Sequence, residues 1–99
     1  MTDTTTHAHL RAFIARCLEA CGMPEADAAK VGELMAQADL MGQDGHGVFR
    51  LPMYVRRIRA GGMNMTPTFA RLKERPATAL SGGDNGMGHL VMSDATELA

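Results

Sequence analysis

Two apolar stripes of helical period, separated only by Gly22 and Pro24, constrain this chain more than any other feature. Leu10, Phe13, Ile14, Cys17, Leu18 and Cys21 fall at offsets that share one helix face, which predicts a helix over residues 6–21. Gly22 supplies its left-handed stop. Pro24 suits a first helical position, and Glu25 and Asp27 favour the positive end of a helix dipole. Val31, Leu34, Met35, Ala38 and Met41 then carry the stripe of a second helix over 24–41. So short a connection makes the two helices an antiparallel pair that shares its apolar faces.

The run Gln43-Asp44-Gly45-His46-Gly47 interrupts the pattern, and Leu51, Tyr54, Val55 and Ile58 resume it up to Gly61-Gly62. A third helix is expected over 47–60, with an irregular start or a kink at Pro52, which removes a backbone donor and crowds the turn before it. Beyond Thr66 the texture changes. Phe69 to Lys73 alternates, Pro76 breaks, and Ala77 to Leu80 resumes, which predicts two short strands that pair. A glycine-rich loop over 82–88 leads into a fourth helix carrying Met87, Leu90, Val91, Asp94 and Leu98, with no stop signal before Ala99. The expected fold class is α+β: a helical subdomain of three helices over 1–62, then over 63–99 two short strands and a helix that begin a larger mixed α/β domain.

The chain has 99 residues, room for one small core, and 45% hydrophobic against 21% charged residues is the composition of a folded domain, not a disordered tail. Net charge is −1, which gives no global reason to expect nucleic acid or an anionic membrane as partner. No stretch approaches the length of a membrane span, and the polar opening lacks the features of a signal peptide, so the default compartment is the cytoplasm. Cys17 and Cys21, one helical turn apart, are too far apart for a disulfide and read as buried thiols; no zinc-like spacing accompanies them, and no metal site is expected. Nine methionines suit an adaptable core or a surface awaiting a partner. Charge is uneven, however: residues 50–75 carry seven basic side chains against Glu74 alone. Arg56, Arg57 and Arg59 are expected on the solvent side of the third helix, where they offer a competing function, a non-catalytic module that binds an acidic partner or nucleic acid.

Chemistry concentrates at Asp44-Gly45-His46-Gly47, where flanking glycines let backbone approach a ligand and leave the imidazole uncrowded. At the start of the third helix, His46 would be favoured as neutral imidazole by the helix dipole. Arg50 lies four residues on and Tyr54 four beyond that, so a base, a carboxylate clamp and a hydroxyl would line one groove. Spacing alone leaves an ordinary alternative open, with Asp44 as a helix cap, Arg50 as a surface cation, Tyr54 in the core and His46 in an exposed loop. The loop at 82–88 matches neither the dinucleotide nor the phosphate-loop glycine pattern and reads first as a structural turn.

Ala38-Asp39-Leu40-Met41-Gly42 followed by Asp44 to Tyr54 resembles the malate/L-lactate dehydrogenase family, NAD(P)-dependent oxidoreductases of 2-hydroxy acids. Gly61-Gly62-Met63-Asn64 and Gly83-Asp84-Asn85-Gly86-Met87-Gly88 are similar to that family's next two landmarks, in the same order. The resemblance implies reversible hydride transfer between a nicotinamide cofactor, NAD or NADP, and C2 of a small 2-keto or 2-hydroxy acid, on a fold distinct from the familiar dinucleotide-binding one. It places the proton donor/acceptor on His46 and substrate binding on Arg50, with Tyr54 lining the pocket. Gly45 stands where the family often has serine, so a hydroxyl that could hold substrate is missing. Members are several times longer, which identifies the chain as an N-terminal part. The resemblance also implies a homodimer at full length, and for this part alone no cofactor binding and no turnover. Apolar surface awaiting the remainder or a second subunit is then expected, with Met53, Met63 and Met65 as candidates.

Overall fold

A computed structural model of the chain describes residues 5–99. Its elements run α1 (His7–Ala20), α2 (Glu25–Leu40), α3 (Leu51–Arg59), β1 (Ala70–Arg75), β2 (Thr78–Gly82) and α4 (Gly88–Leu98). Two single 3-10 turns, Asp44–His46 and Val48–Arg50, lead into α3. The arrangement is the expected α+β one, with each helix within a few residues of its predicted span.

Thr6 starts α1 by accepting the His9 backbone N–H on its hydroxyl at 3.1 Å. At the far end Gly22 turns the chain at φ +100°, a conformation that a side chain would strain. α2 returns along α1, and Gly32 marks where they touch: a Cβ there would meet the Arg11 carbonyl oxygen at 2.7 Å and the Ala15 nitrogen at 3.3 Å. Close backbone approach explains why a residue of poor helix propensity sits mid-helix. Ile14, Leu18, Val31 and Met35 are wholly buried at this seam, and Leu51 and Ile58 of α3 and Met87 and Leu90 at the start of α4 close the core. Phe13, at the margin of the α1 stripe, is 55% exposed, and Met41 is exposed as well, while Ala28, Gly32 and Ala36 occupy the buried side of α2. These small residues alternate there with Val31 and Met35, and the close approach of the two backbones is localised at Gly32. Cys17 and Cys21 are half-buried and free.

Pro52 falls within the first turn of α3, where a missing N–H costs nothing, so the expected irregularity takes the form of the two 3-10 turns before it. β1 and β2 pair antiparallel from Ala70↔Gly82 to Arg75↔Thr78, with an irregularity between Arg71 and Lys73. Arg71 fastens this hairpin to α4 through Asp94 at 2.7 Å. Every residue of β1 is exposed, and Leu72 and Leu80 present their side chains to solvent. The hairpin keeps the chain from closing into a sphere: its radius of gyration is 14.8 Å, against about 13 Å for a compact domain of this length. Exposed apolar surface exists as expected but not on the expected residues. Met53, Met63 and Met65 are half-buried, the latter two against the core, whereas Phe49 is 78% and Leu40 71% exposed. Met63 and Met65 turn inward because the segment after α3 folds back over the core, which the pattern of the sequence does not reveal.

Candidate active site

α2, the first 3-10 turn, α3 and α4 enclose a groove of about 1050 Å³. α2 contributes Lys30, Glu33 and Leu34, the turn contributes His46, and α3 contributes Tyr54 and Arg57. The N-terminal half of α4 forms the opposite wall with His89 and Met92, over a floor that includes Met63 and Met87. Lys30 reaches Glu97 of α4 at 3.7 Å, and Glu33 is held by Arg11 at 3.0 Å, which keeps its carboxyl below the usual carboxylate range. Two cations of the walls, His46 when protonated and Arg57, remain without a carboxylate partner among the described residues.

His46 is exposed and lies in the Asp44–His46 turn, five residues before α3 begins, so it does not stand on that helix's first turn. Arg50 ends the second 3-10 turn, and its Nε donates to the Gly45 carbonyl oxygen at 2.7 Å. His46 and Tyr54 therefore share the groove and Arg50 does not line it. The expectation of three groups on one face fails here for a geometric reason. Spacing by four aligns side chains at 3.6 residues per turn, but a 3-10 turn has three, and the extended Gly47 between the two turns breaks the spiral altogether. Fixing Nε on Gly45 leaves both terminal nitrogens of Arg50 free to grip a carboxylate. Gly45 itself is exposed, with nothing within 4 Å of where a Cβ would stand.

Asp39, in the last turn of α2, holds this turn region in place: it accepts the Val48 N–H at 2.8 Å, and a Cβ on Gly47 would overlap its carboxylate. The capping role expected of Asp44 concerns a side chain outside the described residues. Tyr54 is half-buried and packs edge-on against His89, ring centroids 5.8 Å apart and planes at 88°. His89 escaped the sequence reading, its one signal being a position directly after the glycine loop at the opening of a helix. Arg57 was expected only as part of the solvent-facing basic stripe, although its spacing of three from Tyr54 puts both on one face of α3, and it lines the groove. The basic stripe is dispersed rather than collected: Arg50 turns to Gly45, Arg71 to Asp94, and Arg57 to the groove. No cluster of three or more potential metal ligands occurs among the described residues.

The glycine loop is filled by its own neighbours. A Cβ on Gly83 would meet Val91 at 3.0 Å and one on Gly86 would meet Pro67 at 2.7 Å, so these two glycines admit packing side chains, whereas Gly88 at the start of α4 has nothing within 4 Å of where a Cβ would stand.

A family model described as malate/L-lactate dehydrogenase matches residues 5–99. The chain belongs to the malate/L-lactate dehydrogenase family. It is 42% identical over 90 residues to the malate dehydrogenase of Pyrococcus horikoshii, and that alignment covers 91% of this chain and 25% of the relative. The structure of that protein superposes with a TM-score of 0.94 over 98% of this chain and 28% of its own. The L-sulfolactate dehydrogenase of Methanocaldococcus jannaschii is 40% identical over 82 residues, covering 83% of this chain and 24% of the relative. Its structure gives a TM-score of 0.90. The chain thus spans about a quarter of the length of these curated relatives.

In this member of the malate/L-lactate dehydrogenase family, the later two sequence landmarks prove to be one clasp. Asn64 donates to the carboxylate of Asp84 at 2.9 Å and its N–H to the Asn85 carbonyl at 2.9 Å, while the Asn85 amide donates to the Gly62 carbonyl at 3.1 Å. This clasp ties the segment after α3 to the loop before α4, whose His89 lies against Tyr54 of α3. Among the described residues no helix is long and apolar enough to cross a membrane.

Proposed function

We propose that this chain is the N-terminal, substrate-side part of an NAD(P)-dependent oxidoreductase that interconverts small 2-hydroxy and 2-keto acids. The observation that carries the reading is that His46 and Tyr54 line one groove, while Arg50, outside its lining, is held by its Nε on the carbonyl of Gly45, the residue before His46. A 2-keto acid brings a carboxylate and a polarised keto oxygen. The free edge of the Arg50 guanidinium matches the carboxylate, and His46, reachable from solvent, delivers a proton to the oxygen as negative charge develops there. In the oxidative direction the same imidazole accepts the hydroxyl proton. The nicotinamide cofactor supplies the hydride when bound, and since residues 82–88 match neither phosphate-binding glycine pattern, its site falls to the three-quarters of the relatives' length that this chain does not span. By the same reading, residues 1–62 form a helical subdomain and 63–99 open a second domain whose sheet continues from the exposed hairpin. The full-length enzyme is a homodimer, and the isolated chain neither binds the cofactor nor turns over.

In the enzyme that carries this chain, His46→Ala lowers kcat by roughly 10²- to 10⁴-fold, the usual contribution of a positioned acid/base. Arg50→Lys, which loses the bidentate fork, acts mainly through a raised KM for the keto acid. Steady-state constants over several keto acids check both, and a His46→Ala enzyme with the parent kcat refutes the assignment. A module that binds through Arg56, Arg57 and Arg59 finds no support in the dispersed basic stripe.

A further inference from the structure

His89 is not accounted for by the reaction outlined above, yet it lines the groove and is half-buried in it. It enters on the second residue of α4, lies against Tyr54 in an edge-to-face contact of 5.8 Å, and keeps Nδ1 buried without a hydrogen-bond partner. A histidine whose purpose was to fill space would be replaced by an apolar ring at no loss, and one meant for charge would have an acid beside it. The acids of the groove are committed elsewhere, Glu33 to Arg11 and Glu97 to Lys30, and Arg57 and His46 face the same space.

We propose that His89 is a positioning residue of this site: as an uncharged imidazole it clamps the Tyr54 ring into the groove that His46 shares. Burial favours that uncharged state and holds the ring below the ordinary histidine value of 6.5, and the nearby charge of His46 acts in the same direction. Uncharged, His89 keeps against Tyr54 an orientation that protonation would disturb. The catalytic consequence rests on the reading of His46 and Tyr54 as a substrate site; the packing and charge state of His89 do not.

Tyr54 is the only tyrosine and the chain has no tryptophan, so its intrinsic emission reports on one ring. A protonated imidazole in contact with a phenol quenches it. Emission of the chain followed downward in pH should show a loss with its midpoint below 6.5. His89→Gln should abolish that transition, and His46→Ala should move it to higher pH. Resonances of the four imidazoles in the unsubstituted chain give the same answer without relying on a variant's folding, the His89 ring titrating below the ordinary value. A His89 ring that titrates at or above 6.5, or a transition that survives His89→Gln in a protein with unchanged circular dichroism, overturns the proposal. Steady-state constants of the enzyme that carries this chain separate the two readings: a His89-dependent transition together with a His46→Ala enzyme of parent kcat leaves the clamp standing and sinks the substrate site.

Discussion

Replacing Gly47 with alanine should destabilise the protein, and the sign of the effect should reverse when Asp39 is removed first. A Cβ at position 47 overlaps the Asp39 carboxylate, which can escape only by giving up the Val48 N–H it accepts at 2.8 Å. A partly buried hydrogen bond to a charged group is worth about 1.5–3 kcal/mol. Against this, alanine lowers the entropy of the unfolded chain relative to glycine by about 0.4–1 kcal/mol, and φ of −99° at Gly47 poses alanine no strain. The net loss is about 1–2 kcal/mol, and at about 4–8 °C per kcal/mol for a chain of this size it lowers Tm by roughly 5–15 °C. In an Asp39→Ala background the hydrogen bond is already gone and the overlap with it, so only the entropic term remains and Gly47→Ala stabilises by about 0.4–1 kcal/mol. Thermal unfolding of the four proteins of this cycle, followed by circular dichroism, measures the coupling. A Gly47→Ala substitution that raises Tm in both backgrounds refutes the contact. One that lowers Tm equally in both shows that the backbone, not Asp39, requires the glycine.

Gly32→Ala should lower Tm despite a gain in helix propensity of about 1 kcal/mol, because the new methyl meets backbone of α1 that cannot step aside; overpacking of this kind costs about 1–3 kcal/mol. Gly45→Ser enters open space and should change stability by no more than about 0.5 kcal/mol; in the enzyme carrying this chain it should lower KM for the keto acid, and an unchanged KM means that the position does not touch substrate. His89 makes stability fall with acid: the unfolded chain takes up its proton at about the ordinary 6.5 and the folded one only lower, so stability is complete above 6.5 and declines as pH drops through the lowered folded value. Urea unfolding of the parent and of His89→Gln across pH 5–8 should show this slope reduced in the variant.

Local rules made much of this protein legible. Helical period, Gly22 and Pro24 determined the α1–α2 pair, Pro52 marked the irregular entry to α3, and the alternation after Thr66 marked the hairpin, because each depends only on neighbours a few residues away. The motif around His46, and two further landmarks in order, likewise pointed to the family from sequence alone. What tertiary structure decided is which of those residues meet. Spacing by four placed Arg50 beside His46, but two 3-10 turns separated by Gly47 send it to Gly45 instead. The carboxylate that holds the turn is Asp39, nine residues before the N–H it accepts, and not a neighbour of the motif. His89 lies 35 residues from the ring it clamps, in the helix that follows the loop which Asp84 and Asn85 fasten to the segment after α3. Periodicity states which face a residue occupies, not what will be packed against that face, and contacts between distant segments arise only when the chain closes on itself.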